Sequence, residues 1–510
     1  MNRRSRTDFL TGSHSKRFLA LNVTLALLYF VALSVFFKIG NVYLFTALII
    51  GEVFHVWQII GFSITTWNPQ KKRPFTSSFG EPVNIFITVA GEPVEVVEET
   101  VIAAKAIDYP SFNIHILNDG YVAKKDNWKE IEELAARHGI GCITRRKPGG
   151  AKAGNINNGL RHTKAPFIVI FDADHVPKPE FLKRTMGYFT DKKMGFVQTP
   201  QFYKNQAENV VTQTSWDQQA LFFGPIMKGK VRSNSVFMCG TNMVLRRTML
   251  SEVGGMCEFN IAEDFLTSLF VHEKGWHSHY VPEVLAEGLA PEDFLSYYKQ
   301  QFRWTRGSLE VIFKYNPLFR KGLTWAQKMQ YLSSASYYLS GAVVLIDALI
   351  PLIFLFFGVT AIITSSMLLA LIFLPYIFLS LYILQQTSNF TYTYRAISFS
   401  ISSFWLQLRA LAAVLLNQKT SFVVTSKSAI QGNFLYLSIP HLVYIALSIA
   451  GVAVALSREG ISASLLANLA WVLVNIAAFI PFILASAPPL KRRAKPSAEK
   501  PVLAKARANS

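Results

Sequence analysis

Apolar positions in this chain fall into long runs at its two ends and short runs between them. Phe18 to Phe37 and Val42 to Thr65 are long runs, separated only by Lys38-Ile39-Gly40-Asn41. Each reaches the roughly 20 residues that a helix needs to cross a bilayer core. Pro69-Gln70-Lys71-Lys72-Arg73-Pro74 then breaks the pattern with a basic turn. From Pro82 to about Lys321 the apolar runs shorten. Asn84 to Val89, Asn113 to Leu117 and Phe167 to Phe171 read as strands, alternating with helical segments such as Lys129 to His138. That alternation predicts an α/β domain with a largely parallel sheet covered by helices. Long runs resume at Ala335 to Phe357, Ala361 to Leu384, Phe434 to Leu456 and Ala463 to Ala485. Between the second and third of these, Tyr392 to Asn433 carries Arg395, Arg409, Lys419 and Lys427. It is too polar to span and too apolar for a free linker, so it is expected in the membrane interface.

This pattern predicts six spans, two before the α/β domain and four after it. Both termini and the domain then share one side, which the positive-inside rule makes cytoplasmic in a cell membrane. The expected organisation is a basic segment with a two-span hairpin over 1–75 and the α/β domain over 76–320. A four-span region with interfacial helices and a loop at 417–432 follows over 321–487, and a basic, disordered tail over 488–510. Composition agrees with a membrane chain: of 510 residues, 51% are hydrophobic and 16% charged. The net charge of +19 draws on clusters that abut the spans, among them Arg3, Arg4, Arg6, Lys16 and Arg17 at the start and Lys491, Arg492, Arg493 and Lys495 near the finish. Cytoplasmic flanks of spans are basic, so this charge points to a lipid bilayer and not to nucleic acid. The first apolar run is too long for a signal peptide. The three cysteines, Cys142, Cys239 and Cys257, have no metal spacing and suit a reducing compartment. No internal repeat is visible, which counts against a transporter built on inverted repeats.

Four polar motifs, with a further lysine at 152, punctuate the α/β domain in a fixed order. Asp119 ends a strand in Leu117-Asn118-Asp119-Gly120, a sequence that is also a strong turn signal. Asp172-Ala173-Asp174-His175 follows the strand Phe167 to Phe171. Ligands of open α/β sheets bind beyond the carboxyl ends of strands, and two carboxylates there can hold a hard cation that shares oxygens with a diphosphate. Lys152 follows the flexible Pro148-Gly149-Gly150, where a lysine and loop N–H groups can meet phosphate; a plain surface loop is the alternative. Glu263-Asp264 opens a helical run, Phe265 to His272, either as dipole partners or with Asp264 as a general base for an acceptor hydroxyl. Gln300-Gln301-Phe302-Arg303-Trp304 pairs a guanidinium fork, suited to a departing diphosphate, with a ring able to stack on a sugar. An interfacial helix with a Trp anchor is the other reading.

Taken together, these residues resemble the signature of processive family-2 glycosyltransferases of the cellulose synthase type. Further segments extend the resemblance: Gln198-Thr199-Pro200-Gln201-Phe202, Phe237-Met238-Cys239-Gly240-Thr241, and Phe422-Val423-Val424-Thr425-Ser426-Lys427, which is similar to the gating loop of the bacterial catalytic subunits. The resemblance runs from about Asn84 to Lys427. It implies a GT-A-like domain, Mg²⁺ or Mn²⁺, a UDP-sugar donor and an inverting reaction. The growing polysaccharide would leave through a channel of the same chain, with accessory export subunits as a further class of partner. By position it implies Asp264 as base and Asp174 as metal ligand. Glu92, Asp119, Lys152, Asp172, Arg303, Thr425 and Lys427 would contact the nucleotide sugar, and Cys239, Gly240, Thr241, Gln300 and Trp304 the acceptor.

This sequence departs from the pattern at three points. Val89-Ala90-Gly91-Glu92 stands where the family often has Thr-Tyr-Asn-Glu, which alters contacts to the base. Ala262 replaces a usual Thr before Glu263-Asp264. The stretch after Pro488 is too short for the PilZ domain of many bacterial cellulose synthases, so direct cyclic-di-GMP binding is not expected of it. The function expected is polymerisation of glucose from UDP-glucose into a β-glucan such as cellulose. The alternatives are another polysaccharide (β-1,3-glucan, mannan or an amino-sugar glycan), a single-transfer lipid glycosyltransferase, or a nucleotide-sensing transport protein.

Overall fold

The computed structural model describes residues 8–10, 12, 15–69, 80–418 and 432–488. Its centre is a seven-stranded mixed sheet. The strands are β1 (Val83–Val89), β2 (Phe112–Asn118), β3 (Gly141–Thr144), β4 (Phe167–Asp172), β5 (Met194–Gln198), β6 (Met243–Arg246) and β7 (His277–Tyr280), in the spatial order β7-β5-β6-β4-β1-β2-β3. Only β6 runs against its neighbours, pairing antiparallel with both β4 and β5. Every residue of β1 is buried, as are the first five of β4. Strands covered on both faces read as unbroken apolar runs, which is why their sequences show little alternation. The helices α3 (Val94–Lys105) and α4 (Ala151–His162) cover opposite faces: Val97 and Val101 join one core cluster with Ile85 and Ile87, Ala153 and Ile156 another with Phe86 and Ile168.

Seven helical segments are long and apolar enough to cross a membrane. Six overlap the expected spans: α1 (Lys16–Val31, continued to Phe36), α2 (Val42–Thr66), α7 (Ser340–Phe357, preceded by Trp325–Ser336), α8 (Ser366–Thr387), α11 (Ile439–Glu459) and α12 (Ala463–Ser486). The seventh, Tyr394–Leu415, lies in the stretch expected at the interface. It is broken at Ser403 into α9 (Tyr394–Ser402) and α10 (Phe404–Leu415). Its apolar side is buried against protein, α9 on α12 and α10 on α7 and on α6 (Phe294–Glu310). Polar residues along it meet the sheet domain: Thr393 Oγ1 donates to Asp217 Oδ2 at 2.6 Å, and Gln218 Nε2 to Ser400 Oγ at 3.0 Å. Length and composition admit it as a span, and these contacts join it to the sheet domain.

Five of these six helices form a closed cycle of contacts, with α11 packed outside it on α7 and α12. Helix α1 packs on α2 and α8, α2 on α7, α7 on α12, and α12 reaches α8 where Trp471 meets Phe373 with ring centroids 5.1 Å apart. At one end, Lys38–Ile39 pairs with Ile362–Ile363 and ties the α1–α2 link to the α7–α8 link.

Helix α6 joins sheet domain and membrane part. It rests on α10 on one side and, on the other, on the start of α5 (Glu263–Glu273). Asp293 caps α6, accepting from Ser296 N at 2.8 Å. The approach to α5 is possible because residue 307 is glycine: a Cβ there would lie 2.3 Å from Ala262 Cβ and 2.8 Å from Ala262 N. Helix propensity alone would favour Gly307→Ala by about 0.5–1 kcal/mol. The clash outweighs this, since overpacking costs about 1–3 kcal/mol. The variant is therefore expected to melt at lower temperature in detergent; a higher melting temperature would mean that α5 and α6 are not in contact.

Candidate active site

The strands β4, β1 and β2 end side by side, and their register puts Thr88 opposite Asp172 and Val89 opposite Asn118. Asp172 and Asp119 therefore flank the carboxyl end of β1. Thr88 Oγ1 donates to Asp172 Oδ1 at 3.0 Å, and Asp119 N to Val89 O at 2.8 Å. Both Asp119 oxygens accept from Arg145, at 2.7 Å from Nε and 2.6 Å from Nη2. Burial still leaves the Asp119 carboxyl above its usual range, though Arg145 pulls the other way. Arg145 also donates to Gly149 O and Ala151 O, so it ties the Asp119 loop to the turn that starts α4. Glu92 closes the same edge locally, accepting from Ala90 N at 2.6 Å.

Helix α4 begins at this edge because Gly149 and Gly150, with φ of 136° and 64°, make a turn that other residues resist. Lys152, in its first turn, reaches Asp172 Oδ1 and, at 2.8 Å, Gly240 O. The loop carrying Gly240 is pinned from below. Gln198 Oε1 accepts from Cys239 N at 2.8 Å, Gln198 Nε2 donates to Thr241 O at 2.8 Å, and Gln201 Nε2 to Cys239 O at 2.5 Å. Thr241 Oγ1 accepts from Asp172 N at 2.9 Å. The two segments picked out by sequence, 198–202 and 237–241, thus form one support for the floor of the site.

Asp264 stands over that floor. Gly240 has φ of 81°, and a Cβ there would lie 3.2 Å from Asp264 Oδ2 and 3.5 Å from Lys152 Nζ. The other carboxylate oxygen of Asp264 accepts from Phe265 N at 2.7 Å. The start of α5 is held by its neighbours: Asn260 Oδ1 accepts from Ala262 N at 2.7 Å, while Asn260 Nδ2 donates to Glu310 of α6 at 3.0 Å. Burial pushes the Asp264 carboxyl up, against the pull of Phe265 N and Lys152, and Asp172 adds to the rise. Glu263 is raised as well, by burial and then by Asp264. Burial opposes the charge on Lys152, but Asp172, Glu263 and Asp264 outweigh it and hold the ammonium firmly protonated. For Asp172, burial raises the carboxyl and Lys152 and His175 more than reverse that, so it ends below its usual range.

Arg303 approaches from α6. Burial lowers its pKa against the pull of Glu263, Asp172 and Asp264, the three carboxylates it faces. On the same helix, Trp304 is half-buried and Gln300 hydrogen-bonds Tyr203. The Cys239 thiol is pushed far up by burial and by Asp264, which makes it a poor nucleophile. Asp174 is buried, with Oδ2 accepting from Leu289 N at 3.1 Å. Asp172, Asp174 and His175 offer ligand atoms within 4.8 Å of one another. His175 is 4% exposed, and neither ring nitrogen makes a hydrogen bond among the described residues. Two carboxylates and an imidazole so placed fit a divalent cation.

The structure therefore gathers Lys152, Asp172, Asp174, Cys239, Gly240, Thr241, Asp264 and Arg303, with Asp119 and Glu92 along the sheet edge. Thr425 and Lys427 fall outside the described residues. The last described residues before them are held by α6 and its extension: Arg306 donates to Gln418 O, and Lys314 Nζ to Asn417 Oδ1 at 3.0 Å. Sequence reasoning assigned no role to Arg145 or His175. His175 could have been found as the third polar residue after a buried strand, in Asp172-Ala173-Asp174-His175; Arg145 has no such local signal.

Two family descriptions match this region. Residues 81–307 match "Glycosyltransferase like family 2", and residues 251–462 match "Cellulose synthase". The chain is 30% identical to the cellulose synthase catalytic subunit [UDP-forming] of Pseudomonas fluorescens over 82% of its own length and 58% of that protein's. It is 32% identical to cellulose synthase 2 of Novacetimonas hansenii over 68% of its own length and 22% of that protein's. It thus spans between about a fifth and three fifths of the length of these relatives. Among solved structures, a mannosyltransferase from Pyrobaculum calidifontis, in complex with GDP-Man and Mn²⁺, is similar with a TM-score of 0.51 and 15% identity, covering 74% of this chain and all of that one. That likeness shows the GT-A-like fold. With matched residues running from 81 to 462 and each motif of the resemblance in order, the chain belongs to the cellulose synthase-type family-2 glycosyltransferases.

Proposed function

We propose that this chain is a membrane-embedded, processive, inverting glycosyltransferase. It takes a sugar from a UDP-sugar, UDP-glucose in the first instance, adds it to a β-glucan such as cellulose, and passes the polymer across the membrane. The observation that carries this reading is the convergence of Lys152, Asp172 and Asp264 beside Gly240, with Arg303 facing both aspartates. A pair of cations suited to a diphosphate there faces a carboxylate whose raised pKa suits a base. The relatives named cellulose synthase support the substrate class.

In this mechanism an acceptor hydroxyl lies against Asp264 and gives it its proton as the oxygen bonds to the donor's anomeric carbon. The bond from that carbon to UDP breaks on the opposite face, so configuration inverts, and UDP takes the bonding pair. Lys152 and Arg303 hold the leaving diphosphate as its charge grows, in a buried setting where such contacts are strong. Asp172, Asp174 and His175 would hold Mg²⁺ or Mn²⁺, which supplies positive charge to the diphosphate. Trp304 offers a face to the acceptor ring, and Gln300 orients it from the same helix.

Asp264→Asn keeps size and removes basicity. Polymer formation is expected to fall roughly 10²–10⁴-fold with UDP affinity unchanged; near-normal synthesis at matched expression would remove Asp264 from this role. Because the folded carboxyl sits above its ordinary range, it takes up its proton at higher pH. The acid limb of kcat/KM should therefore lie well above the roughly 4 of a free aspartate. Initial rates of UDP release across pH measure this, and a limb near 4 would count against Asp264.

The sheet domain belongs on the cytoplasmic side of the cell membrane, where UDP-sugars are made. Lys38→Cys, in the link between α1 and α2, should then react with an impermeant maleimide added to intact cells. Reaction only after lysis would reverse the orientation.

A further inference from the structure

Ionisable side chains from neighbouring helices of the five-helix ring meet at one depth. Glu52 lies ten residues from the start of α2 at Val42, Asp347 ten from the end of α7 at Phe357, and Tyr376 ten from the start of α8 at Ser366. At 1.5 Å per residue, each is about 15 Å from the end tied by the Lys38–Ile39 and Ile362–Ile363 pair, which is mid-depth in a bilayer core. From α1, Tyr29 OH donates to Glu52 Oε1 at 3.2 Å. His55 Nε2 lies 3.2 Å from Asp347 Oδ2, and Tyr376 faces both carboxylates. Four helices thus bring their polar groups to one level.

Two features show what this level accommodates. Glu52 is 7% exposed, yet its Oε2 has no hydrogen-bond partner among the described residues. A carboxylate oxygen left bare in an apolar interior costs several kcal/mol, a cost that a proton or a donor from outside the chain relieves. His55 and Asp347, by contrast, keep 37% and 38% of their side chains accessible. Charged groups at mid-depth do not face hydrocarbon, so the space they border is polar. The level is rich in acceptor oxygens, short of donors and weighted towards negative charge, with two carboxylates to one imidazole. A chain of hydroxyls supplies the missing donors; a carboxylate or phosphate supplies none and is repelled.

We propose that Glu52, His55 and Asp347 form a charge-selective waist in the ring that binds an uncharged, hydroxyl-bearing glycan and refuses an anionic one. This rests on reading the chain as a synthase that exports its product, and it restricts that product to a neutral polymer. The waist stands apart from the transfer site, so it acts on passage and not on bond formation.

The test compares cationic and anionic methanethiosulfonate reagents on His55→Cys in nanodiscs, with unsubstituted protein as background. The cationic reagent is expected to react at least about tenfold faster, after correction to a free thiol, because opposite charges attract strongly at low dielectric. Adding Glu52→Gln and Asp347→Asn should bring the two rates within about twofold. Asp347→Cys, with and without Glu52→Gln, repeats the measurement should His55→Cys fold poorly. Equal rates in both cysteine variants, or no labelling in either, overturn the waist. In parallel, Glu52→Gln in the otherwise unchanged chain should leave UDP-glucose affinity intact and shorten the polymer several-fold; unchanged length also overturns the proposal. Failure to consume UDP-glucose at all would sink the functional reading instead, while the labelling ratio still reports on the waist.

Discussion

One ammonium group organises the transfer site. Lys152 joins Asp172, at the end of a central strand, to the carbonyl of Gly240, in the loop beneath Asp264. Without it, Asp172, Glu263 and Asp264 would share a buried volume with only Arg303, and His175 beside Asp172, left to offset their charge. Buried like charges are costly, and such a cluster would relax by taking up protons or moving apart. Lys152 prevents both for Asp172, whose carboxyl stays ionised, and leaves Asp264 raised but close by. Lys152 bonds Asp172 and not Asp264, and His175 adds to the pull on Asp172 alone.

The lysine in turn depends on backbone that side chains have fixed. Gly149 and Gly150 let α4 start at the sheet edge, and Arg145 holds that turn by bridging to Asp119. Opposite, Gln198 and Gln201 hold the Cys239–Thr241 loop with three hydrogen bonds. The third wall is α6, clamped to α5 through Asn260 and Glu310 and to the membrane helices through α10. Sheet, loop and membrane part thus meet through contacts that do not themselves take part in transfer.

Much of this was legible before the fold was known. The strands β1, β2 and β4 lie within a residue or two of the runs that predict them, because apolar residues dominate and, in β1 and β4, both faces are buried. Asp172 and Asp264 were legible from their place after a strand and at a helix start. Arg145 was not: it meets Asp119 from 26 positions away, across a strand pair, and no periodicity marks it. The Tyr394–Leu415 segment was read as interfacial from its charge, whereas its burial against α6, α7 and α12 is a tertiary fact. Glu52 and Asp347 were overlooked although their signal is simple: they are the acidic residues within α2 and α7, each alone in an apolar helix.

The contact between Gly307 and Ala262 also constrains how this chain can change. The two positions share one small volume, 45 residues apart in sequence (307 − 262), and neither can gain a carbon while the backbones keep their spacing. Ala262 stands where chains of this type usually carry threonine, so restoring the common residue would bring two further heavy atoms to a crowded place. Each position is thus permissive only in the background of the other. Sequence drift at the start of α5 must travel in paired steps with the middle of α6, and a family consensus taken one residue at a time would misjudge both.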